Sequence, residues 1–216
     1  MSARNKYARQ LDLIDPELLA TPIRVIGAGG IGSWATLAIT KMGCHNVSVQ
    51  DFDRVEMENT ASQIYGEKHI KMTKVDALRE IIKELSEVDI LPVMEKWVPE
   101  QEIVEPILIS GLDSLDTRGE LWTSVKKNKF VKWYIDGRMS GNIIRLYTVK
   151  IGEDNSFYEK TLVTDKNVEE EACTSKAVIY NTFMCGSLIA NLVKKIIKGE
   201  EYKREIIVDL FNLEIL

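Results

Sequence analysis

Ile23-Arg24-Val25-Ile26-Gly27-Ala28-Gly29-Gly30-Ile31-Gly32 sets a short apolar run directly before a G-x-G-x-x-G pattern made by Gly27, Gly29 and Gly32, with Gly30 inside it. Ile23 to Ile26 reads as a strand, Ile31 to Met42 carries apolar residues at helical spacing, and Val47 to Gln50 reads as a second strand. This is one βαβ unit. Its glycines permit a tight turn and let backbone N–H groups approach a phosphate at the start of the helix. Tight strand–helix packing alone is the competing explanation. Asp51 closes the second strand, where a carboxylate commonly accepts from ribose hydroxyls. Up to this point ATP and NAD are equally good ligands. Asp53, two residues on, reads equally as a ligand contact or as a turn cap.

Outward from this unit the alternation continues. Helices are expected over residues 71–85 and 117–127, and strands over 90–94, 106–110, 132–135 and 143–149. The pattern predicts an α/β fold of Rossmann type, a mostly parallel sheet with helices on both faces and some antiparallel strands in the C-terminal part. Residues 160–172, with Glu169, Glu170 and Glu171 in a row, read as an exposed crossover loop. The apolar stretch 177–197 reads as a long buried helix, because Asn181, Asn191, Lys194 and Lys195 interrupt it, and 205–210 as a final strand. The whole chain is expected to form one domain. Residues 1–22 would be an N-terminal helical arm, 23–149 the nucleotide-binding core, and 150–216 the crossover loop, long helix and last strand.

Composition bounds the function. The 216 residues are 45% hydrophobic and 28% charged with a net charge of −5, which fits a globular protein and gives no basic footprint for bulk nucleic acid. No membrane partner is implied. Three cysteines without a C-x-x-C pair suggest neither a disulfide framework nor a zinc site, and a reducing cytoplasm is the simplest setting.

Beyond the second strand, Asp51-Phe52-Asp53-Arg54-Val55-Glu56-Met57-Glu58-Asn59 resembles the E1-like activating enzymes, which include molybdopterin-synthase and thiamine-biosynthesis adenylyltransferases and ubiquitin-activating enzymes. Further motifs follow in that family's order. Tyr7-Ala8-Arg9-Gln10 resembles its R-Q segment, Lys74-Val75-Asp76-Ala77 its phosphate-binding lysine segment, Ser110-Gly111-Leu112-Asp113-Ser114 its T-D-N, and Gly137-Arg138-Met139-Ser140-Gly141-Asn142 its R-M-x-G turn.

The resemblance implies an ATP-dependent adenylyltransferase that converts a carboxylate, such as the C-terminal glycine of a small ubiquitin-fold or sulfur-carrier protein, into an acyl adenylate. ATP would lie on Gly27, Gly29, Gly30 and Gly32, with its ribose on Asp51 and its phosphates on Asn59 and Lys74. Asp113 would hold Mg2+, and Arg9 of a neighbouring subunit would stabilise developing charge, which makes a homodimer the expected assembly. Each assignment has a plainer competitor: a surface arginine for Arg9, an exposed helix lysine for Lys74, and a helix N-cap for Asp113.

Two departures stand out. The family's N-x-x-R becomes Asn59-Thr60-Ala61-Ser62, losing an arginine that Arg54 or Arg138 would have to replace, and the zinc-binding C-x-x-C pairs are absent, so no zinc is expected. Cys173 stands where some relatives carry a reactive cysteine, although three adjacent glutamates disfavour a thiolate and a small core residue is the alternative. The loss at Ser62 keeps a second class open, a nucleotide-binding but non-catalytic partner subunit. An NAD-dependent oxidoreductase is the third.

Overall fold

The structure is a computed structural model that describes residues 6–162 and 177–216. Cys173, the three glutamates and most of the expected crossover loop lie outside the described residues.

The first strand, β1 (Ile23–Ile26), leads into α1 (Gly30–Met42) and β2 (Val47–Gln50). Then come α2 (Lys74–Ser86), β3 (Leu91–Val93), β4 (Ile107–Ser110), α3 (Leu115–Val125), β5 (Trp133–Ser140), β6 (Ile143–Lys150), α4 (Asn155–Lys160), α5 (Ile179–Lys198), β7 (Glu205–Asp209) and β8 (Glu214–Ile215). Single turns of 3-10 helix occupy Pro16–Ala20, Met57–Ala61 and Glu67–His69.

All eight strands form one sheet in the order β3-β2-β1-β4-β5-β6-β7-β8. The first five are parallel, and β6, β7 and β8 continue the sheet antiparallel. β1 lies between β2 and β4, pairing Ile23 with both Val47 and Ile107. The chain therefore reverses its direction of travel across the sheet at β1 and β4, and the crevice beyond their carboxyl ends is where such sheets take ligands.

Two apolar layers cover the sheet. Val25, Ile109 and Ile135 face α1, α2 and α5, while Ile26, Leu108, Tyr134 and Tyr147 face α3, Trp97 and Tyr158. Burial on both faces explains why β1 and β4 are mostly apolar, and Arg24, the charged exception in β1, pairs with Glu105 at 3.0 Å. α1 and α5 lie so close that a Cβ on Gly186 would sit 2.7 Å from the Trp34 backbone.

Four expectations need correction. β5 does not end at Ile135 but runs to Ser140, because it pairs with β6 as a hairpin whose turn is only Gly141 and Asn142, with Gly141 at φ +55°. Gly137, read as part of a turn, is a strand residue whose missing Cβ leaves room for Ile31. The C-terminal region holds more than a loop, a helix and one strand, since α4 precedes the long helix and β8 follows β7. The long helix itself is buried on one face only: Ile179, Tyr180, Phe183 and Met184 are exposed at its start.

Candidate nucleotide site

The glycine loop is built to tolerances that only hydrogen atoms satisfy. Gly27 has φ +92°, and a Cβ there would lie 2.7 Å from the Gly111 carbonyl oxygen. A Cβ on Gly32 would lie 1.7 Å from the Gly27 carbonyl oxygen, so the first turn of α1 rests directly on the end of β1. Gly29 differs, because its Cβ would meet nothing nearer than Gln63 Nε2 at 4.0 Å. The protein's own packing does not demand a glycine there, and the missing side chain leaves the backbone open to the cleft.

Asp51 braces this loop. Its Oδ2 accepts from the Ala28 N–H at 2.6 Å and its Oδ1 from the Asp53 N–H at 2.8 Å. The turn-capping role weighed for Asp53 thus belongs to Asp51. Asp53 instead pairs with Lys74, Nζ to Oδ2 at 2.8 Å, and its carbonyl accepts from the Lys74 N–H. Lys74 is buried at the first turn of α2, with Thr73 as the helix N-cap. Lys83, in the same helix, is exposed and pairs with Asp89. Position in the fold therefore separates two lysines that look alike in sequence.

Between β2 and α2 the chain forms a closed loop, pinned at its neck where Val55 and Lys71 exchange backbone bonds with Met72 and Val55. Asn59 sits on this loop. Its Oδ1 accepts from the Glu56 N–H at 2.9 Å, which commits the oxygen and leaves the amide donors to offer a ligand. On the other side, Ser114 caps α3 by accepting from the Thr117 N–H, so Asp113 is not the helix cap and stands exposed just beyond β4.

Gly27, Gly29, Gly30, Asp51, Asp53, Asn59, Lys74 and Asp113 line one cleft of about 410 Å3. Gly32 is the packing glycine beneath it. Among the described residues lining the cleft, four carboxylates (Asp51, Asp53, Glu95, Asp113) face two ammonium groups (Lys74, Lys96), a formal balance of −2. A polyphosphate entering such a cleft requires additional cations. An exposed carboxylate such as Asp113 suits Mg2+, which keeps most of its waters and is shared with phosphate oxygens; no cluster of three or more metal-ligating side chains occurs among the described residues.

Arg9 lies elsewhere. Its segment is tied down by Gln10 to the Met42 carbonyl at the end of α1, by Lys6 to the Ser86 carbonyl at the end of α2, and by Lys198 at the end of α5 to the Leu13 carbonyl. These three helices begin at the cleft and end at the opposite pole. Arg9 is exposed there and outside its own cleft. Neither substitute for the missing arginine lines the cleft: Arg54 donates to the Lys71 carbonyl, and Arg138 pairs with buried Asp136 and lies over the Tyr147 ring.

Residues 7–215 match the ThiF family. The chain belongs to the ThiF family. An adenylyltransferase and sulfurtransferase MOCS3 of Culex quinquefasciatus is 31% identical over 38% of this ThiF-family chain and 20% of its own length. The tRNA threonylcarbamoyladenosine dehydratase of Escherichia coli is 25% identical over 50% of the chain and 42% of its own length. The chain thus spans less than half of these relatives.

Among solved structures, E. coli MccB with ATP superposes with a TM-score of 0.79 at 15% identity, covering 100% of this chain and 70% of MccB. E. coli TcdA, the tRNA N6-threonylcarbamoyladenosine dehydratase, gives 0.71 at 19% identity over 91% and 95% of the two chains. At these identities the likeness is one of fold.

Several cleft residues of this ThiF-family chain carry no signal of their own in the sequence. Gln63, Lys96 and Trp97 join the lining from separate loops, and Lys96 lies over the Phe52 ring. Tyr65 is buried behind the loop, donating to the Ala28 carbonyl at 2.7 Å, with the Lys74 carbonyl at 3.2 Å. Cys44 and Cys185 are buried in the core, and burial pushes both thiols up to about 12.

Proposed function

We propose that the chain is an ATP-dependent adenylyltransferase that activates a carboxylate as its acyl adenylate, the carboxylate being the C-terminal glycine of a small ubiquitin-fold or sulfur-carrier protein, or of a peptide. The observation that carries the reading is the convergence of Asn59, Lys74 and an uncapped Asp113, from three separate segments, on the cleft formed by the glycine loop. A dinucleotide-dependent oxidoreductase would need the loop and Asp51 but has no use for the other three together.

In this reading Asp51 holds the ribose, with Asp53 beside it. The backbone at Gly29 and Gly30, the amide of Asn59 and the ammonium of Lys74 bind the phosphates. A substrate carboxylate oxygen forms a bond to the α-phosphorus while the bond to the bridging β-phosphate oxygen breaks and pyrophosphate leaves. Asp113 would hold Mg2+, which supplies positive charge to the phosphates. Lys74 is released from Asp53 when the phosphates arrive and turns to them. No protein nucleophile is required, so the acceleration comes from positioning and electrostatics.

Arg9 of a second copy would supply the remaining charge, which the −2 balance of the cleft calls for. The apolar start of α5, beside the cleft through Thr182 and Gly30, is the surface offered for a homodimer. MccB, whose fold this chain shares, was solved with ATP and with MccA, and the MOCS3 relative is named an adenylyltransferase; both favour the reading.

One observation favours a second reading, a nucleotide-binding partner subunit without activity: Ser62 occupies the arginine position, and neither Arg54 nor Arg138 lines the cleft. Magnesium-dependent exchange of pyrophosphate into ATP, measured over a panel of carriers and peptides, separates the two. Exchange that requires a carrier and is lost in Asp113→Ala supports adenylation, whereas ATP binding without exchange for any acceptor supports the inactive subunit.

A further inference from the structure

The glycine loop is held from both sides at a single residue. Ala28 gives its N–H to Asp51 Oδ2, at 2.6 Å, and its carbonyl oxygen accepts from the Tyr65 hydroxyl, at 2.7 Å. Ala28 is fully buried and Tyr65 nearly so, so no water replaces the bond between them. A trans peptide directs its C=O and its N–H to opposite sides. With the Ala28 carbonyl turned inward to Tyr65, the N–H of Gly29 is turned the other way, on the residue that lines the cleft. The same hydroxyl lies 3.2 Å from the carbonyl of Lys74, the residue whose ammonium reaches the cleft at the first turn of α2.

We propose that Tyr65 is the positioning residue of the phosphate site: its hydroxyl fixes the Ala28–Gly29 peptide so that the Gly29 N–H faces the phosphates, and it keeps that peptide in register with Lys74. The proposal rests on the nucleotide reading of the cleft and assigns a role to a side chain that never touches the ligand. Burial, with the Asp51 carboxylate nearby, pushes the Tyr65 phenol well above its ordinary range, so it remains a donor at every pH at which the protein would work. Phenylalanine would keep the ring and its packing but lose the donor, leaving a buried carbonyl without its partner and the peptide free to rotate.

The test is calorimetric titration of wild type and Tyr65→Phe with Mg·ATP and, separately, with adenosine, which engages the ribose and base positions but not the phosphate site. Mg·ATP affinity is expected to fall by about tenfold while adenosine affinity stays unchanged, the size of one lost buried hydrogen bond. Replacing Tyr65 with 4-aminophenylalanine, which keeps a donor at the same ring position, should restore ATP affinity, and this arm stands even if the phenylalanine variant folds poorly. Unchanged ATP affinity in Tyr65→Phe overturns the proposal. So does an equal fall for ATP and adenosine, which would mark a hydroxyl that serves only the fold. A wild type that binds adenosine but shows no gain from the triphosphate would remove the phosphate site itself, a distinct failure that takes the positioning role with it.

Discussion

In the adenylation proposed above, Asp113 is the residue that holds the metal, and its setting makes it a clean one to change. It is exposed, and Ser114 rather than Asp113 caps the following helix. Asp113→Ala should therefore leave the melting temperature within the range of an ordinary surface substitution, about 0.5 kcal/mol in stability, while removing magnesium-dependent exchange. A large loss of stability would show that the carboxylate serves the fold instead.

The two buried cysteines make a second prediction at this scale. An unfolded thiol ionises near about 8.5, whereas burial holds those of Cys44 and Cys185 up to about 12. Between these values the folded chain keeps protons that the unfolded chain releases, so stability is intact below the window and declines as pH rises through it. Denaturation midpoints measured from about pH 8 upward should fall, with Cys44 and Cys185 unlabelled by thiol reagents until unfolding. Labelling in the native state would contradict their burial.

Asp51 and Asp113 stand just beyond the ends of strands and could be singled out from that position, whereas Asn59 and Lys74 were singled out only through the resemblance to the E1-like motifs. Tyr65, Gln63, Lys96 and Trp97 were not, because loops with no period of their own carry them to the site. Whether Asp53 caps the turn or faces the cleft is likewise decided by hydrogen bonds that spacing does not encode.

At the scale of elements, the close contacts around α1 are the most exposed to test. Gly186→Ala would drive a methyl group into the Trp34 backbone at 2.7 Å and push α5 from α1. Since backbone cannot yield as a flexible side chain does, a loss of about 1–3 kcal/mol is expected by chemical denaturation. Gly32→Ala is more severe, because its Cβ would lie 1.7 Å from the Gly27 carbonyl oxygen; it should cost more than about 3 kcal/mol and take nucleotide binding with it. Native-like stability in either variant would mean that the helices do not pack as described.

The strands and long helices were readable because both apolar faces of a parallel sheet leave mostly apolar runs and α1, α2 and α5 each carry a helical period. What was lost is instructive. α4 and β8 are too short to establish a period, and the extension of β5 through Gly137 depends on pairing with β6, a contact between residues rather than a property of either strand.

For the whole molecule, a role for Arg9 in the proposed reaction requires a second copy. Arg9 lies at the pole opposite its own cleft, and Ile179, Tyr180, Phe183 and Met184 form an exposed apolar strip beside the cleft. Sedimentation should show a dimer at micromolar concentration, and Phe183→Glu should shift it toward monomer and lower exchange together with it. A wild-type monomer that retains full exchange would remove the role given to Arg9. No helix among the described residues is long and apolar enough to cross a membrane.

Competition between ATP and a dinucleotide for the cleft tests the adenylation reading most directly, because it needs no knowledge of the acceptor. Mg·ATP should bind the full chain saturably, one per protomer, and excess NAD should fail to displace it. Tight NAD binding without measurable affinity for Mg·ATP would contradict the account.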